Sequence, residues 1–230
     1  MRDSLIVFDL DGTLVDTAPD LLAALDAVLV AHGFPKADPS ARDGIGHGAR
    51  HLIEVALQKQ DVVPSAALLD RMHAGFLDHY SEHICEGSRP YPGVLERLDA
   101  LAVAGWDFAI CTNKLEGLSR RLLDTLSLTA RFRAICGADT FDVRKPHPGH
   151  LLRTVALAGG QPERAIMVGD SRTDVETARA AGIPVVGVSF GYTTVPMAEL
   201  VPDLLLEDYS ALDAGALDAL LAPRLRAEAS

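Results

Sequence analysis

Four short and nearly unbroken apolar segments constrain the fold of this 230-residue chain more than any other feature of it. Continuous rather than alternating apolarity is typical of strands that are buried on both faces of a parallel sheet. The segments lie at 5–8, 108–111, 165–168 and 185–188, and helical patterns lie between them at 94–103, 115–126, 149–158 and 174–181. The alternation predicts an α/β fold with a doubly wound parallel sheet.

A long helical stretch interrupts this alternation. Three amphipathic patterns occupy residues 21–31, 49–57 and 66–84, with no convincing strand between them. We therefore expect residues 16–85 to form a helical cap over one edge of the sheet. The α/β core is then discontinuous and consists of residues 1–15 and 86–230.

The charge balance restricts the partners. Lys and Arg number 21 and Asp and Glu 32, which gives a net charge of −11. Such a chain is unsuited to sequence-independent nucleic-acid binding or to an electrostatic membrane anchor, and an anionic substrate would need local positive charge. No apolar stretch approaches the roughly 18 residues of a spanning helix. With no hydrophobic leader and no paired cysteine spacing, we expect a cytoplasmic protein, either a monomer or a homodimer.

Carboxylates follow two of the predicted strands. Asp9 and Asp11 come directly after the first strand, and Asp170 follows the third, with Asp174 one helical turn later. Ligands of such sheets bind at the carboxyl ends of the strands. Clustered carboxylates repel one another unless a divalent cation lies among them, and hard oxygen ligands suit Mg²⁺. Either motif alone is also explained as a turn or a helix N-cap; their joint position favours a magnesium site.

Phosphate-binding groups are expected at the same edge. Thr112 and Asn113 follow the second strand, and Lys145 lies in a loop that its neighbouring prolines hold extended. Gly12 lacks a Cβ and lets a transferred group approach the backbone. Together with Mg²⁺, these residues would neutralise and orient a phosphate, which is most of what phosphoryl transfer requires.

The two carboxylates after the first strand allow a two-step reaction. Asp9 can attack phosphorus and form an aspartyl-phosphate. Asp11 can protonate the leaving oxygen and then deprotonate the attacking water. The neighbouring carboxyl groups would then hold different protonation states, which their environments can enforce.

Four motifs occur in the order found in the haloacid dehalogenase-like phosphohydrolases, which the chain resembles. They are residues 9–13 (DLDGT), 112–113 (TN), 145–146 (KP) and 169–174 (GDSRTD). The resemblance implies a Rossmann-like core with an inserted helical C1 cap. It also implies the catalytic roles given above, with Mg²⁺ held by Asp9, by the main-chain carbonyl of Asp11 and by Asp170, and with Asp174 in support.

Further stretches are similar to one branch of this superfamily, the bacterial phosphoglycolate phosphatases. They are residues 15–21, 44–48, 111–114, 145–148 and 189–192. The resemblance implies hydrolysis of 2-phosphoglycolate to glycolate and phosphate. Relatives that act on other small phosphates share several of these stretches.

A glycine-rich loop at 44–48 is the candidate for recognising the substrate carboxylate. It precedes a predicted helix, and free backbone N–H groups at a helix start form an anion site. Gly46, His47 and Arg50 are the candidate specificity residues. The alternative is a glycine hinge that lets the cap close over the core.

Other activities remain as alternatives. A phosphatase for a different small metabolite and a sugar phosphomutase would use the same core. A dehalogenase is disfavoured because Asp11 is present, and a phosphonatase because no cap lysine is clearly placed for a Schiff base. A module that binds a phosphometabolite without catalysis is disfavoured because both Asp9 and Asp11 are intact.

Overall fold

The computed structural model describes residues 4–228, and among these the side chains of all but Pro39, Arg42, Asp43, His47 and residues 223–228. The strands are β1 (Ser4–Phe8), β2 (Val15–Asp16), β3 (Arg89–Pro90), β4 (Trp106–Cys111), β5 (Ala134–Cys136), β6 (Ala165–Gly169), β7 (Val185–Val188) and β8 (Leu204–Leu206). The helices are α1 (Ala18–Ala31), α2 (Ala49–Gln58), α3 (Ala66–Glu82), α4 (Val94–Val103), α5 (Glu116–Thr125), α6 (Pro148–Leu157), α7 (Arg172–Ala180) and α8 (Ala214–Glu228).

Six strands form one parallel sheet in the order β5-β4-β1-β6-β7-β8, and this confirms the predicted α/β class. The four predicted strands are β1, β4, β6 and β7, whose residues are almost all buried. Strands β5 and β8 were not predicted, because three residues are too few to display an apolar pattern. Helix α7 begins at Arg172, two residues earlier than predicted, so Asp174 lies in its first turn.

The central position of β1 brings the ends of three strands together. Phe8, its last residue, is in register with Ile110 of β4 on one side and with Val168 of β6 on the other. The residues that follow these three strands therefore meet at one edge of the sheet. Helices cover both faces, as in a doubly wound fold.

The helical stretch leaves and rejoins the sheet region through two paired strands. Val15 of β2 lies opposite Pro90 of β3, in an antiparallel pair. The carboxylate of Asp20, near the start of α1, accepts hydrogen bonds from the backbone N–H of Gly87 (2.7 Å) and of Ser88 (2.8 Å). The two segments that connect the helices to the sheet region are thus hydrogen-bonded to each other. The division into residues 16–85 and the remaining core stays a prediction.

The three predicted helices between these two segments are α1, α2 and α3, and α3 packs on both α1 and α2. Residues 39–47, between α1 and α2, form a 3-10 helix that the sequence did not predict. One buried apolar cluster includes Phe8 of the sheet together with Leu25, Leu52 and Phe76 of the three helices. Among the described helices, none has the length and apolarity needed to cross a membrane.

Candidate active site

A cavity of about 430 Å³ lies between the carboxyl edge of the sheet and helices α2 and α3. The predicted site residues on its wall are Asp9, Asp11, Gly46, Arg50, Thr112, Asn113 and Asp170. Apolar side chains such as Ile45 and Phe76 complete the wall on the helical side. Polar groups that converge on a partly apolar cavity are typical of a small-molecule site.

Three carboxylates meet at the base of this cavity. Oxygen atoms of Asp9, Asp170 and Asp174 all lie within 4.8 Å of one another. Asp170 is oriented by the Thr13 hydroxyl, which donates to its Oδ1 (2.9 Å), and by the backbone N–H of Tyr192, which donates to its Oδ2 (2.7 Å). The predicted grouping of these acids is therefore present.

Asp174 and Ser171 form a capping box at the start of α7. The Ser171 hydroxyl and backbone N–H donate to Oδ2 of Asp174 at 2.7 and 3.1 Å. The N-cap of α7 is therefore Ser171 and not Asp170, the residue considered for that position, and Asp174 belongs both to the capping box and to the acidic cluster.

Lys145 lies behind the acidic cluster rather than on the cavity wall. Its Nζ is 3.0 Å from Oδ1 of Asp9 and 2.6 Å from Oδ1 of Asp174, and its side chain is 2% exposed. Burial alone lowers the pKa of an ammonium, but the two carboxylates outweigh it and hold the pKa of Lys145 above its usual value. The lysine is therefore charged.

The donor set fits a divalent cation. If Asp9, Asp170 and Asp174 are all ionised, they contribute three negative charges and Lys145 one positive charge, which leaves two negative charges for a cation to balance. Burial, with further repulsion from the neighbouring acids, raises the pKa of Asp9 to about 6 and that of Asp170 to about 8. Oxygen ligands with an excess of two negative charges in a buried site suit Mg²⁺.

Gly12 closes in on Asp170 from the loop after β1. Its φ is +80°, and a Cβ at this position would lie 2.5 Å from Oδ2 of Asp170 and 2.8 Å from the ring of Tyr192. The absence of a side chain is therefore required by contact as well as by backbone conformation.

The residues after β4 are held by backbone contacts. The N–H of Thr112 donates to the carbonyl of Cys136 (3.0 Å), and the amide of Asn113 donates to the carbonyl of Lys145 (3.0 Å). The side chain of Asn113 thus fixes the loop that carries Lys145. The Thr112 hydroxyl accepts from the N–H of Lys114 (3.2 Å), which leaves its proton for a ligand.

Sequence reasoning missed the role of Lys114. Its Nζ lies 3.0 and 3.2 Å from the two carboxylate oxygens of Asp11 and 4.2 Å from the ring centroid of Tyr80 on α3. The sequence signal that could have indicated this role is the position of the lysine, directly after Thr112-Asn113 at the end of a buried strand.

Tyr192 was also given no role, yet it joins the acidic cluster to the start of α1. Its Oη accepts from the backbone N–H of Thr17 (2.7 Å) and of Ala18 (2.9 Å) and donates to Oδ1 of Asp16 (2.6 Å). The Thr17 side chain makes no capping bond, so a residue 175 positions away caps this helix.

The predicted specificity residues differ in their surroundings. Gly46 and Arg50 line the cavity, but Arg50 is 45% exposed and its Nη1 lies 2.5 Å from Oδ1 of Asp70. Gly48, with a φ of +91°, precedes α2, which has no side-chain cap. The side chain of His47 lies outside the described residues.

The raised pKa values predict a pH dependence of metal binding. The pKa of both Asp9 and Asp170 is 3.8 in the unfolded chain, and in the folded protein it rises to about 6 and about 8, respectively. At a pH between these values, the folded protein binds more protons at these groups than the unfolded chain does. Their contribution to the free energy of unfolding of the metal-free protein therefore falls as the pH rises through this window. Mg²⁺ displaces these protons, so we expect it to raise the melting temperature more at about pH 8.5 than at about pH 6.

Differential scanning fluorimetry with Mg²⁺ or EDTA measures this shift at each pH. Asp170→Asn is the control and should abolish most of it. An equal shift at both values of pH would contradict the argument.

Comparison with known proteins gives consistent matches over most of the chain. A family model described as haloacid dehalogenase-like hydrolase matches residues 6–188. A phosphoglycolate phosphatase of Mesorhizobium japonicum is 50% identical over 92% of this chain and 94% of its own length. One from Agrobacterium fabrum is 46% identical over 90% of each chain. A crystal structure of a predicted phosphoglycolate phosphatase from Haemophilus somnus 129pt has a TM-score of 0.84 and 30% identity, covering 91% of this chain and 96% of that one.

Proposed function

The chain belongs to the haloacid dehalogenase-like hydrolase family, and we propose that it is a Mg²⁺-dependent phosphatase that hydrolyses 2-phosphoglycolate to glycolate and phosphate. The observation that carries the reaction type is the meeting of Asp9, Asp170 and Asp174 with Lys145 at the base of the cavity. The choice of substrate is supported by the phosphoglycolate phosphatases that are up to 50% identical to this chain.

The metal-binding residues in this proposal are Asp9, Asp170 and the main-chain carbonyl of Asp11, with Asp174 in support. When bound, Mg²⁺ offsets the negative charge of the phosphate and polarises its oxygens. The ammonium of Lys145 contacts both Asp9 and Asp174, offsets the repulsion between them and so holds the carboxylates in place for the cation.

Asp9 is the nucleophile. Lys145 and the N–H of Leu10 (2.7 Å) both contact its Oδ1, so Oδ2 is the oxygen that attacks phosphorus. The new P–O bond makes an aspartyl-phosphate while the bond from phosphorus to the glycolate oxygen breaks. The Thr112 hydroxyl and the Asn113 backbone, with Gly12 giving close access, bind the phosphoryl oxygens during the transfer.

Asp11 moves the protons. Its carboxyl group gives a proton to the departing glycolate oxygen in the first step. In the second step its carboxylate takes a proton from the water that attacks the aspartyl-phosphate. Phosphate leaves, and both Asp9 and Asp11 return to their starting states.

The helices opposite the sheet complete the site. Gly46 and Arg50 form part of the wall that faces the acidic cluster, so the substrate lies between the two parts of the chain. Assignment of the loop at 44–48, including His47, to the substrate carboxylate stays a prediction. Excluding water from this space strengthens each charge interaction within it.

Phosphate release from a panel of phosphomonoesters tests the function. We expect kcat/KM for 2-phosphoglycolate to exceed that for the other esters by about tenfold or more, a margin of about 1.4 kcal/mol. EDTA should abolish the activity, and Mg²⁺ should restore it. Equal turnover of the whole panel would contradict the assignment of 2-phosphoglycolate as the substrate but would leave the assignment as a phosphatase intact. A β-glucose 1-phosphate that is converted without release of phosphate would instead indicate a phosphomutase.

A further inference from the structure

Lys114 lies where the sheet edge meets helix α3. Its loop follows β4, and its ammonium lies between the carboxylate of Asp11 and the aromatic face of Tyr80. The side chain is 5% exposed, yet it belongs to the cavity wall. A cation over an aromatic ring is stabilised there, so the position is well defined from both sides.

The positive charge of Lys114 can bind a second anion in addition to Asp11. Burial disfavours an ammonium, but Asp11 and Tyr80 outweigh it and hold the pKa of Lys114 above its usual value. An ammonium has three N–H donors and can engage a second carboxylate while it remains beside Asp11.

The position of Asp11 fixes where the leaving group lies. To transfer a proton, Asp11 must come within hydrogen-bond distance of the leaving oxygen. Lys114 is within 3.2 Å of both oxygens of Asp11, so the atoms just beyond the leaving oxygen reach the ammonium. In 2-phosphoglycolate a single methylene separates that oxygen from the carboxylate.

Two arginines on the same cavity wall are less suited to this task. Arg50 is 45% exposed and already paired with Asp70, and Arg144 is exposed. Exposed charges are screened by water and discriminate weakly, whereas a buried charge interacts strongly with an anion.

We propose that Lys114 binds the carboxylate of the substrate and thereby selects phosphomonoesters that carry an anionic group one carbon beyond the leaving oxygen. This inference rests on the proposed function and adds to it the residue that sets specificity. Tyr80 holds the ammonium from the helical side, so both parts of the chain contribute to the recognition.

The test compares two substrates that differ only in the distal group. These are 2-phosphoglycolate and 2-hydroxyethyl phosphate, in which a neutral alcohol replaces the carboxylate. The variant is Lys114→Gln, because glutamine can still donate a hydrogen bond to Asp11 but carries no charge. We expect the ratio of kcat/KM between the two substrates to fall on the order of 30-fold, as expected for loss of a buried charge-assisted contact.

Arg144→Gln is the matched control, since it removes a cation from the same cavity wall. Its ratio should stay within about threefold of the wild-type ratio, the change expected for an exposed charge. A wild-type enzyme without preference for 2-phosphoglycolate would overturn the proposed function. A wild-type preference that survives in Lys114→Gln would overturn the present inference alone.

A binding measurement decides the case in which Lys114→Gln is inactive or unfolded. The measurement uses Asp11→Asn and the double variant Asp11→Asn/Lys114→Gln. The double variant lacks both members of the ion pair and therefore has no unpaired buried charge at this place. Calorimetry with Mg²⁺ compares 3-phosphonopropionate with propylphosphonate, which lacks the carboxylate. The carboxylate should strengthen binding to Asp11→Asn by tenfold or more, on the order of one charge-assisted hydrogen bond, and not to the double variant. Equal strengthening in both would overturn the inference.

Discussion

Replacement of Asp9 by asparagine should lower kcat by about 10⁴-fold or more, because an amide cannot form the aspartyl-phosphate. The fold should be retained. Asparagine has the same shape, and its carbonyl oxygen can accept the bonds that Lys145 and the N–H of Leu10 make to Oδ1 of Asp9. Burial raises the pKa of Asp9 to about 6, so the neutral amide also relieves the cost of a buried charge in the metal-free protein.

The measurement is phosphate release from 2-phosphoglycolate, together with the melting temperature in EDTA. Asp61→Asn, an identical change at an exposed position, is the control and should leave both unchanged. Removal of a nucleophile allows far less activity than about one tenth of the wild-type value. An Asp9→Asn variant with activity within about tenfold of the wild type would therefore contradict the mechanism.

Replacement of Lys145 by methionine should destabilise the metal-free protein by about 3–5 kcal/mol, the usual cost of removing one member of a buried ion pair. Lys145 contacts both Asp9 and Asp174, and each of these is nearly or fully buried. Without the ammonium, three carboxylates face one another with no counter-charge. Mg²⁺ should restore part of the stability, since it supplies positive charge to the same cluster.

Urea unfolding in EDTA and in Mg²⁺ measures both effects. Lys36→Met is the matched control, because Lys36 is 73% exposed and its Nζ lies 3.6 Å from Asp26. Exposed pairs of this kind contribute little, and the control should show no measurable change. A loss below about 1 kcal/mol for Lys145→Met in EDTA would contradict the role of the buried lysine, since such pairs cost several times more.

The acidic cluster could be predicted from sequence because it depends on strand polarity. Once 5–8 and 165–168 are assigned as neighbouring parallel strands, Asp9 and Asp170 must end at the same edge of the sheet. The grouping needs no knowledge of side-chain directions. The fold class follows from the same unbroken apolar segments, whereas β5 and β8 are too short to leave such a pattern.

Contacts that depend on side-chain direction could not be predicted in this way. Lys145 was expected to contact a phosphate; its contacts with Asp9 and Asp174 were not foreseen, and its part in phosphate binding stays a prediction. The pairing of Lys114 with Asp11 joins two loops that are 103 positions apart. No local pattern records such a pairing.

The shared apolar cluster also bears on how the molecule loses its structure. Leu25, Leu52 and Phe76 belong to α1, α2 and α3, and they are buried in the same cluster as Phe8 of the central strand. If the helices unfolded first, the sheet would expose apolar surface to water. If the sheet unfolded first, the helices would expose theirs. We therefore expect these helices and the sheet to unfold together in one transition.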